Sequence, residues 1–293
     1  MNKLYIDENN KIVITPQYPS YLLADFITYL TYLKTHQIKL TRTKGYFSKK
    51  DLLAIYSKMK SEKKEVPSNA TQTGYPIVHL FYHLSIVLDF IRVHYYKSSA
   101  VALVQDEQIE KFVKLTATEQ YVTLLEAFWI EADWHELQGE KRMHAPYNID
   151  FLFKDLEEIP ANEELDLNEM EEINSFVIDY GQFFYYFSYF GFWEFEINKE
   201  KSNQPNRPKR TFAKSIRLTP FFKKIQDALL ETWEPHHDEA FEESLNFFAN
   251  LFVPGYEVAR ELDTDEAENT ESLVDLLSPL FPKVELTTII KAY

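Results

Sequence analysis

A chain of 293 residues that is 45% hydrophobic and 16% aromatic has the material for a packed core and for more than one structural unit. Having no cysteine, it excludes disulfides, thiolate nucleophiles and Cys-ligated zinc or iron–sulfur centres. The net charge of −15 is uneven: residues 1–74 hold 12 of the 31 Lys and Arg but only 6 of the 46 Asp and Glu, so they carry +6 and the rest −21. Long-range attraction of the whole molecule to a polyanion is therefore disfavoured, and a local basic face is the remaining route to one.

Residues 4–15 alternate loosely and read as a strand or small hairpin around Glu8, Asn9 and Asn10, broken by Pro16 and Pro19. Nothing at this start has the uninterrupted apolar core of a signal peptide. No later run approaches the length of a membrane span, so a cytoplasmic protein off the membrane is expected. Ser20 stands as N-cap to a helix over 21–34, with Leu22, Leu23, Phe26, Ile27, Leu30 and Leu33 at helical spacing. A short strand over 37–41 and a turn at Thr43, Lys44 and Gly45 come next. Ser48 then caps a helix over 49–60, with Leu52, Leu53, Ile55, Tyr56 and Met59 on the buried side and lysines on the other. The polar run 61–73 reads as a loop.

Pro76, placed for a first helical turn, opens a helix that is apolar nearly all round, the pattern of burial. Strands over 92–96 and 100–104 flank a tight turn. Thr116 and Glu119 fit a capping box, in which hydroxyl and carboxylate each satisfy a free backbone N–H. The helix they start is expected over 119–137, with Tyr121, Leu124, Leu125, Phe128 and Ala132 on one side. Glu126, Glu131, Asp133 and Glu136 form the other. Residues 138–168 are irregular and acidic and read as a surface connection. Asn168 is expected to cap a second, Phe- and Tyr-rich helix that Gly191 ends. A strand over 191–197, a basic loop over 198–214, a strand over 215–219 and a helix from Pro220 to Trp233 complete this part. In the tail a helix over 238–252, an acidic loop over 261–271, a short helix over 272–280 and a strand in VELTTII are expected.

Helix, strand, loop and strand thus occur twice, and three strands at Gln37, Val101 and Ser215 run on toward a helix. The fold expected is mainly α, of α+β class: tandem winged-helix-like units with small β-hairpin wings and a helical C-terminal tail. The units are placed at residues 1–115, 116–233 and 234–293.

The pattern IKLTRTKGYFSKKDLLAIYSKM, followed after a gap by HLFYHLSIVLDFIRVHYY, resembles the N-terminal winged-helix domain associated with XPB-type DNA helicases. LTATEQYVTLLEAFWIEADW resembles the middle of prokaryotic proteins in which such a region precedes a mobile-element passenger domain. The resemblance covers roughly residues 37–137 and implies a winged-helix fold. It carries over neither a motor activity nor any site residue.

Candidate chemistry is sparse. His79 and His83 lie one helical turn apart, a spacing at which two imidazoles share a zinc ion, but two partly buried histidines bonded to polar neighbours is the stronger reading. His135 and Glu136 begin an HExxH helix that fails at Gly139. His236, His237, Asp238 and Glu239 read as a helix start. Asp263 and Asp265 imitate the opening of a calcium loop with its glycine and closing Glu misplaced. With six glycines there is no GxSxG, GxGxxG or phosphate-binding loop. A non-catalytic chain with no cofactor is expected.

A helix that reads DNA offers Arg, Lys, Asn or Gln to base edges. The helix from Pro76 offers Ile, Val, Leu and Phe, and the second offers Phe183, Phe184, Tyr185, Tyr186, Phe187, Tyr189 and Phe190. The nucleic-acid candidates are instead Lys199, Lys201, Arg207, Lys209, Arg210 and Lys214 of the basic loop, which suit phosphates rather than bases. Lysines 49, 50, 58, 60, 63 and 64 would extend that patch or form the wet face of a helix. The expectation is a cytoplasmic scaffold or adaptor whose partner is another protein, with a DNA-associated protein as the alternative.

Overall fold

The structure is a computed structural model, and it describes residues 3–61, 66–97, 99–139, 146, 149–168, 170–202, 212–233 and 272–281. It is of α+β class, with helices packed around two small antiparallel sheets. Buried side chains from Ile12 to Phe281 form one contiguous cluster.

The N-terminal hairpin is reduced to a bridge between Ile6 and Ile12, closed by the Asp7 carboxylate, which accepts from the N–H groups of Asn9 (2.9 Å) and Lys11 (2.8 Å). Helix α1 is Leu22–Thr35 and buries Leu22, Leu23, Phe26, Leu30 and Leu33 as the spacing requires. Its start falls one residue later than expected. The Ser20 hydroxyl accepts from Leu22 N–H at 3.1 Å and donates to the Tyr189 carbonyl, so it ties the helix entrance to a distant element. Strand β1 is Lys39–Leu40, and helix α2, Lys49–Lys58, is capped by Ser48 through Asp51 N–H. Leu53, expected on the buried side of α2, is exposed. A 3-10 turn, Gln72–Gly74, leads into α3, Pro76–Val87, then β2, Ile91–Tyr95, β3, Ala100–Val104, and α4, Asp106–Val113.

Helix α5 is Ala117–Glu126, and its capping box is complete: Glu119 accepts from Thr116 N–H (2.6 Å) and Thr116 accepts from Glu119 N–H (3.3 Å). The single helix expected over 119–137 is broken. A wide π turn, Ala127–Glu131, runs into Ala132 in an extended conformation, and α6, Trp134–Gln138, starts afresh under an Asp133 cap. The cause is local: the indole N–H of Trp134 donates to the Phe128 carbonyl at 2.9 Å, taking the acceptor that a continuing α-helix would give to residue 132.

The acidic stretch 138–168, read as surface, contains core. Helix α7, Ile149–Asp155, buries Ile149, Leu152 and Phe153, and the buried amide of Gln226 donates to the Phe153 carbonyl (2.5 Å). Strand β4, Glu164–Asp166, follows. Helix α8, Glu171–Tyr189, breaks at Tyr180 (φ −125°, ψ 34°) into two halves. Asn168 does not cap it: its side-chain amide bonds Asp166 (2.7 Å), and the capping position is Met170, which makes no side-chain cap. Beyond lie β5, Trp193–Ile197, the short α9, Lys199–Ser202, β6, Ala213–Leu218, and α10, Pro220–Glu231, capped by Thr219. In the tail α11 is Leu273–Leu277, packed against α10 and α5, and Ile12 N–H donates to the Leu280 carbonyl at 2.8 Å. The tail elements expected over 238–252, 261–271 and in VELTTII lie outside the described residues.

The two sheets have the same plan. Strand order is β1-β3-β2 in the first and β4-β6-β5 in the second, every pair antiparallel. In each, a helix (α3, or the second half of α8) enters the edge strand, the third strand returns through the middle, and a further helix (α4 or α10) leaves at once. Gln105 N–H closes on the Phe90 carbonyl (2.9 Å) as Thr219 N–H closes on the Phe192 carbonyl (3.0 Å). The same supersecondary unit is thus built twice, with the second hairpin longer than the first.

Candidate functional site

Helices α3 and α8, which precede the hairpins, pack against each other. The Gln182 amide donates to the Thr73 carbonyl at 3.1 Å, joining α8 to the entrance of α3. Ile77, Val78, His79, Leu80 and Phe81 on one helix, and Phe183 to Phe187 on the other, are buried. Tyr186 donates to the Leu137 carbonyl (2.8 Å) and Tyr121 to the Phe190 carbonyl (2.6 Å), so even the phenols are spent inside. Rings pack on rings beside α8, Phe128 on Phe190 at 4.8 Å among them. Neither helix holds an Arg or Lys.

His79 and His83 lie on α3, His79 facing α6 through the Glu136 carbonyl. The two rings meet edge to face at 4.5 Å, with Tyr46 and Tyr82 against them. His79 is fully buried and both its nitrogens are engaged, Nδ1 with the Gln72 amide (3.3 Å) and Nε2 with the Glu136 carbonyl (3.2 Å). That network fixes a neutral ring with its proton on Nε2. Burial, and then the neighbouring His83, holds its pKa well below the usual histidine range. His83, pushed down to about 4 by burial, has a buried Nε2 without a hydrogen-bond partner. The nitrogens of His79 are thus engaged, and those of His83 make no hydrogen bond among the described residues. Among the described residues no group of three or more His, Asp or Glu is placed to hold a metal ion.

The second hairpin's described cations are mostly compensated. Lys214 lies on β6 and meets Glu196 at 3.1 Å, which with the nearby carboxylates raises its pKa. Arg217 spans Glu164 (2.6 Å) and Glu194 (3.4 Å) across three strands, and holds the Glu164 carboxyl below its usual range. Lys201 donates to the Asn168 side chain at 2.7 Å, and Lys199 opens α9. Arg207, Lys209 and Arg210 lie outside the described residues. Of the N-terminal lysines, Lys49 donates to the Ser68 carbonyl and Lys58 lies over the Tyr32 ring at 5.3 Å. Lys50 and Lys60 are exposed, and residues 63 and 64 are not described.

The first hairpin differs. Its register places Lys39, Val101 and His94 in one row across the sheet and Leu103 beside Arg92 in the next. Of these, Lys39, Arg92, His94 and Leu103 are exposed, as is Tyr96, whose ring meets His94 at 4.7 Å. Asp89 holds Arg92 through two hydrogen bonds of 2.6 Å. Lys39 and Lys97 have no carboxylate within 4.0 Å among the described residues. None of these residues is among the candidates drawn from the sequence, where the hairpin stands only as two strands around a tight turn. The missed signal is the alternation in IRVHYY, which sends every second side chain to an open face.

Elsewhere a groove of about 330 Å³ lies between α1 and α4, crossed by Lys34, which meets Glu110 at 3.2 Å. Half-buried Glu126 is raised to about 7 by burial, then by Glu131 and by Asp275 of the tail. No helix among the described residues is long and apolar enough to cross a membrane. Comparison of the chain with family models, curated proteins and solved structures returns no match.

Proposed function

We propose that the chain is a cytoplasmic, non-catalytic adaptor built from two winged-helix-like units, and that its ligand is another protein. Helix, strand, two helices and a hairpin in the order β1-β3-β2 support the winged-helix reading of the first unit. The halves of α8 stand for the two helices in the second. One observation carries the adaptor reading: α3 and α8, the helices a winged-helix protein would lay in the major groove, are buried against each other. A groove-reading helix must be free on its outer side. The ion pairs of Lys214 and Arg217 point the same way, since a cation already matched to a carboxylate gains little from a phosphate.

Fluorescence anisotropy with random duplex DNA at two salt concentrations tests this. The expected result is no binding at low salt. Binding that weakens steeply with salt, and that Lys209→Glu with Arg210→Glu abolishes, would replace the adaptor by the DNA-associated reading.

A further inference from the structure

We propose that β2 and the outer face of the first sheet receive an extended, acidic segment of a partner protein as a fourth strand. This rests on the adaptor reading and specifies its partner.

The backbone supplies the site. Strand β2 is an edge, bounded by β3 on one side only. The bonds from Gln105 N–H to the Phe90 carbonyl (2.9 Å) and from Tyr96 N–H to the Ser99 carbonyl (2.8 Å) set the phase of the ladder. Residues 90, 92, 94 and 96 therefore face β3, and Ile91, Val93 and Tyr95 turn their N–H and C=O groups outward. Among the described residues no backbone group outside β3 bonds to those three. Such a row is a template for a strand from another chain.

Side chains select the occupant. An added strand places alternate residues beside Arg92, His94 and Tyr96, on the face that also carries Lys39 and Leu103. Lys97 stands at the open end of β2, and Arg42 is exposed just beyond β1. Arg92 is already matched by Asp89, so among the described residues the unmatched cations of this region are Lys39, Lys97 and Arg42. A second copy of the edge would bring these cations against themselves, which argues against self-pairing and for an oppositely charged strand. The −15 net charge of the chain does not prevent this, because at physiological salt charges beyond about 8 Å are screened and the local field decides. Tyr96 and Leu103 add apolar contact, and the five residues of β2 fix the length at about five residues of partner.

The test uses the full chain and two labelled eight-residue peptides of alternating Glu and Val or of alternating Lys and Val, followed by anisotropy. The acidic peptide is expected to bind at least tenfold more tightly. Val93→Pro removes an outward N–H without touching the ladder to β3, and is expected to weaken binding at least tenfold. Lys39→Glu with Arg92→Glu, two surface changes that leave the core intact, is expected to remove the preference for the acidic peptide. That pair decides the matter if Val93→Pro fails to fold by circular dichroism. Equal binding of both peptides, binding of neither, or full affinity in the charge-reversed variant overturns the proposal. If DNA binding is absent as well, the adaptor reading stands and the partner docks elsewhere. Acidic-peptide failure together with DNA binding that Arg92→Glu weakens would instead assign the face to nucleic acid.

Discussion

Asp89 and Gly191 occupy the same position in the two units. Each follows the end of its helix in the left-handed region, φ 50° and 80° respectively, and the next N–H, of Phe90 or Phe192, reaches back to the carbonyl of Ser85 (2.8 Å) or Phe187 (3.0 Å). Both phenylalanines are buried. This is a Schellman closure with its apolar contact, and it turns each chain from helix into edge strand. Only one of the two positions holds the residue that the conformation favours.

The pair yields opposite expectations for one kind of change. A Cβ on Gly191 would stand 2.7 Å from Pro19 Cβ and 3.1 Å from the Pro19 backbone carbon, in addition to the cost of a left-handed side chain. Gly191→Ala is expected to lose about 2–4 kcal/mol. Asp89→Gly relieves the conformational cost and gives up an exposed ion pair, so it is expected within about 1 kcal/mol of the natural protein. Urea unfolding measures both, and an unchanged midpoint for Gly191→Ala would remove the helix closure from the account.

What the sequence discloses is what neighbouring residues decide. Pro76 with an apolar perimeter, Thr116 with Glu119, and the alternation on either side of residues 97–99 each satisfy their own backbone, so α3, α5 and the first hairpin were legible. Helix α7 was not, because Leu152 and Phe153 sit in an acidic run and the partner of the Phe153 carbonyl, Gln226, lies far along the chain. Neither was the break after α5, which the Trp134 indole makes by folding back onto Phe128. The basic loop misled for a similar reason. Whether Lys214 is free depends on the register that sets it beside Glu196, and register is not written locally.

Asp25 is a second distant tie. It is fully buried on α1, and its two carboxylate oxygens accept from the N–H groups of Lys60 (2.6 Å) and Ser61 (2.8 Å), ending α2 against α1. Asp25→Ala leaves those donors without a partner and is expected to cost about 2–4 kcal/mol. Asp25→Asn keeps one acceptor and should cost less. Hydrogen exchange at Lys60 and Ser61 is the direct readout: exchange as slow as in the natural protein would contradict the role.

Glu126 gives a pH dependence whose sign follows from its environment. Its carboxyl is raised to about 7 by burial, Glu131 and Asp275, whereas in the unfolded chain it titrates near 4.3. The folded state therefore holds the extra proton between those values. Stability falls as pH rises from about 4.3 to about 7 and is flat above. Glu126→Gln is expected to be more stable than the natural protein at pH 8, equal to it at pH 4, and without that slope. Chemical unfolding at four pH values tests it, and a slope that survives the substitution assigns it to another group.

His83 works in the opposite direction over part of the same range. Its pKa is pushed to about 4 by burial, against about 6.5 in an unfolded chain, so the unfolded state takes up the proton first. Stability is complete above about 6.5 and is lost as pH falls toward 4. The ring packs against His79 and Tyr82, and its Nε2 lacks a partner, so His83→Phe keeps the aromatic contact and removes an unsatisfied group. That variant is expected to gain about 0.5–1.5 kcal/mol at pH 7 and to lose stability less steeply in acid. His79→Phe is expected to lose about 1–3 kcal/mol, because the Gln72 amide and the Glu136 carbonyl then lose their partner. The same two variants decide the zinc question: with the His79 nitrogens engaged, added zinc should leave the melting temperature of the natural protein unchanged. A rise that both substitutions abolish would show that the pair opens to hold the metal. Because the Glu126 and His83 slopes oppose each other, a flat profile between pH 5 and 6.5 in the natural protein is expected, and His83→Phe should uncover the falling limb that Glu126 contributes.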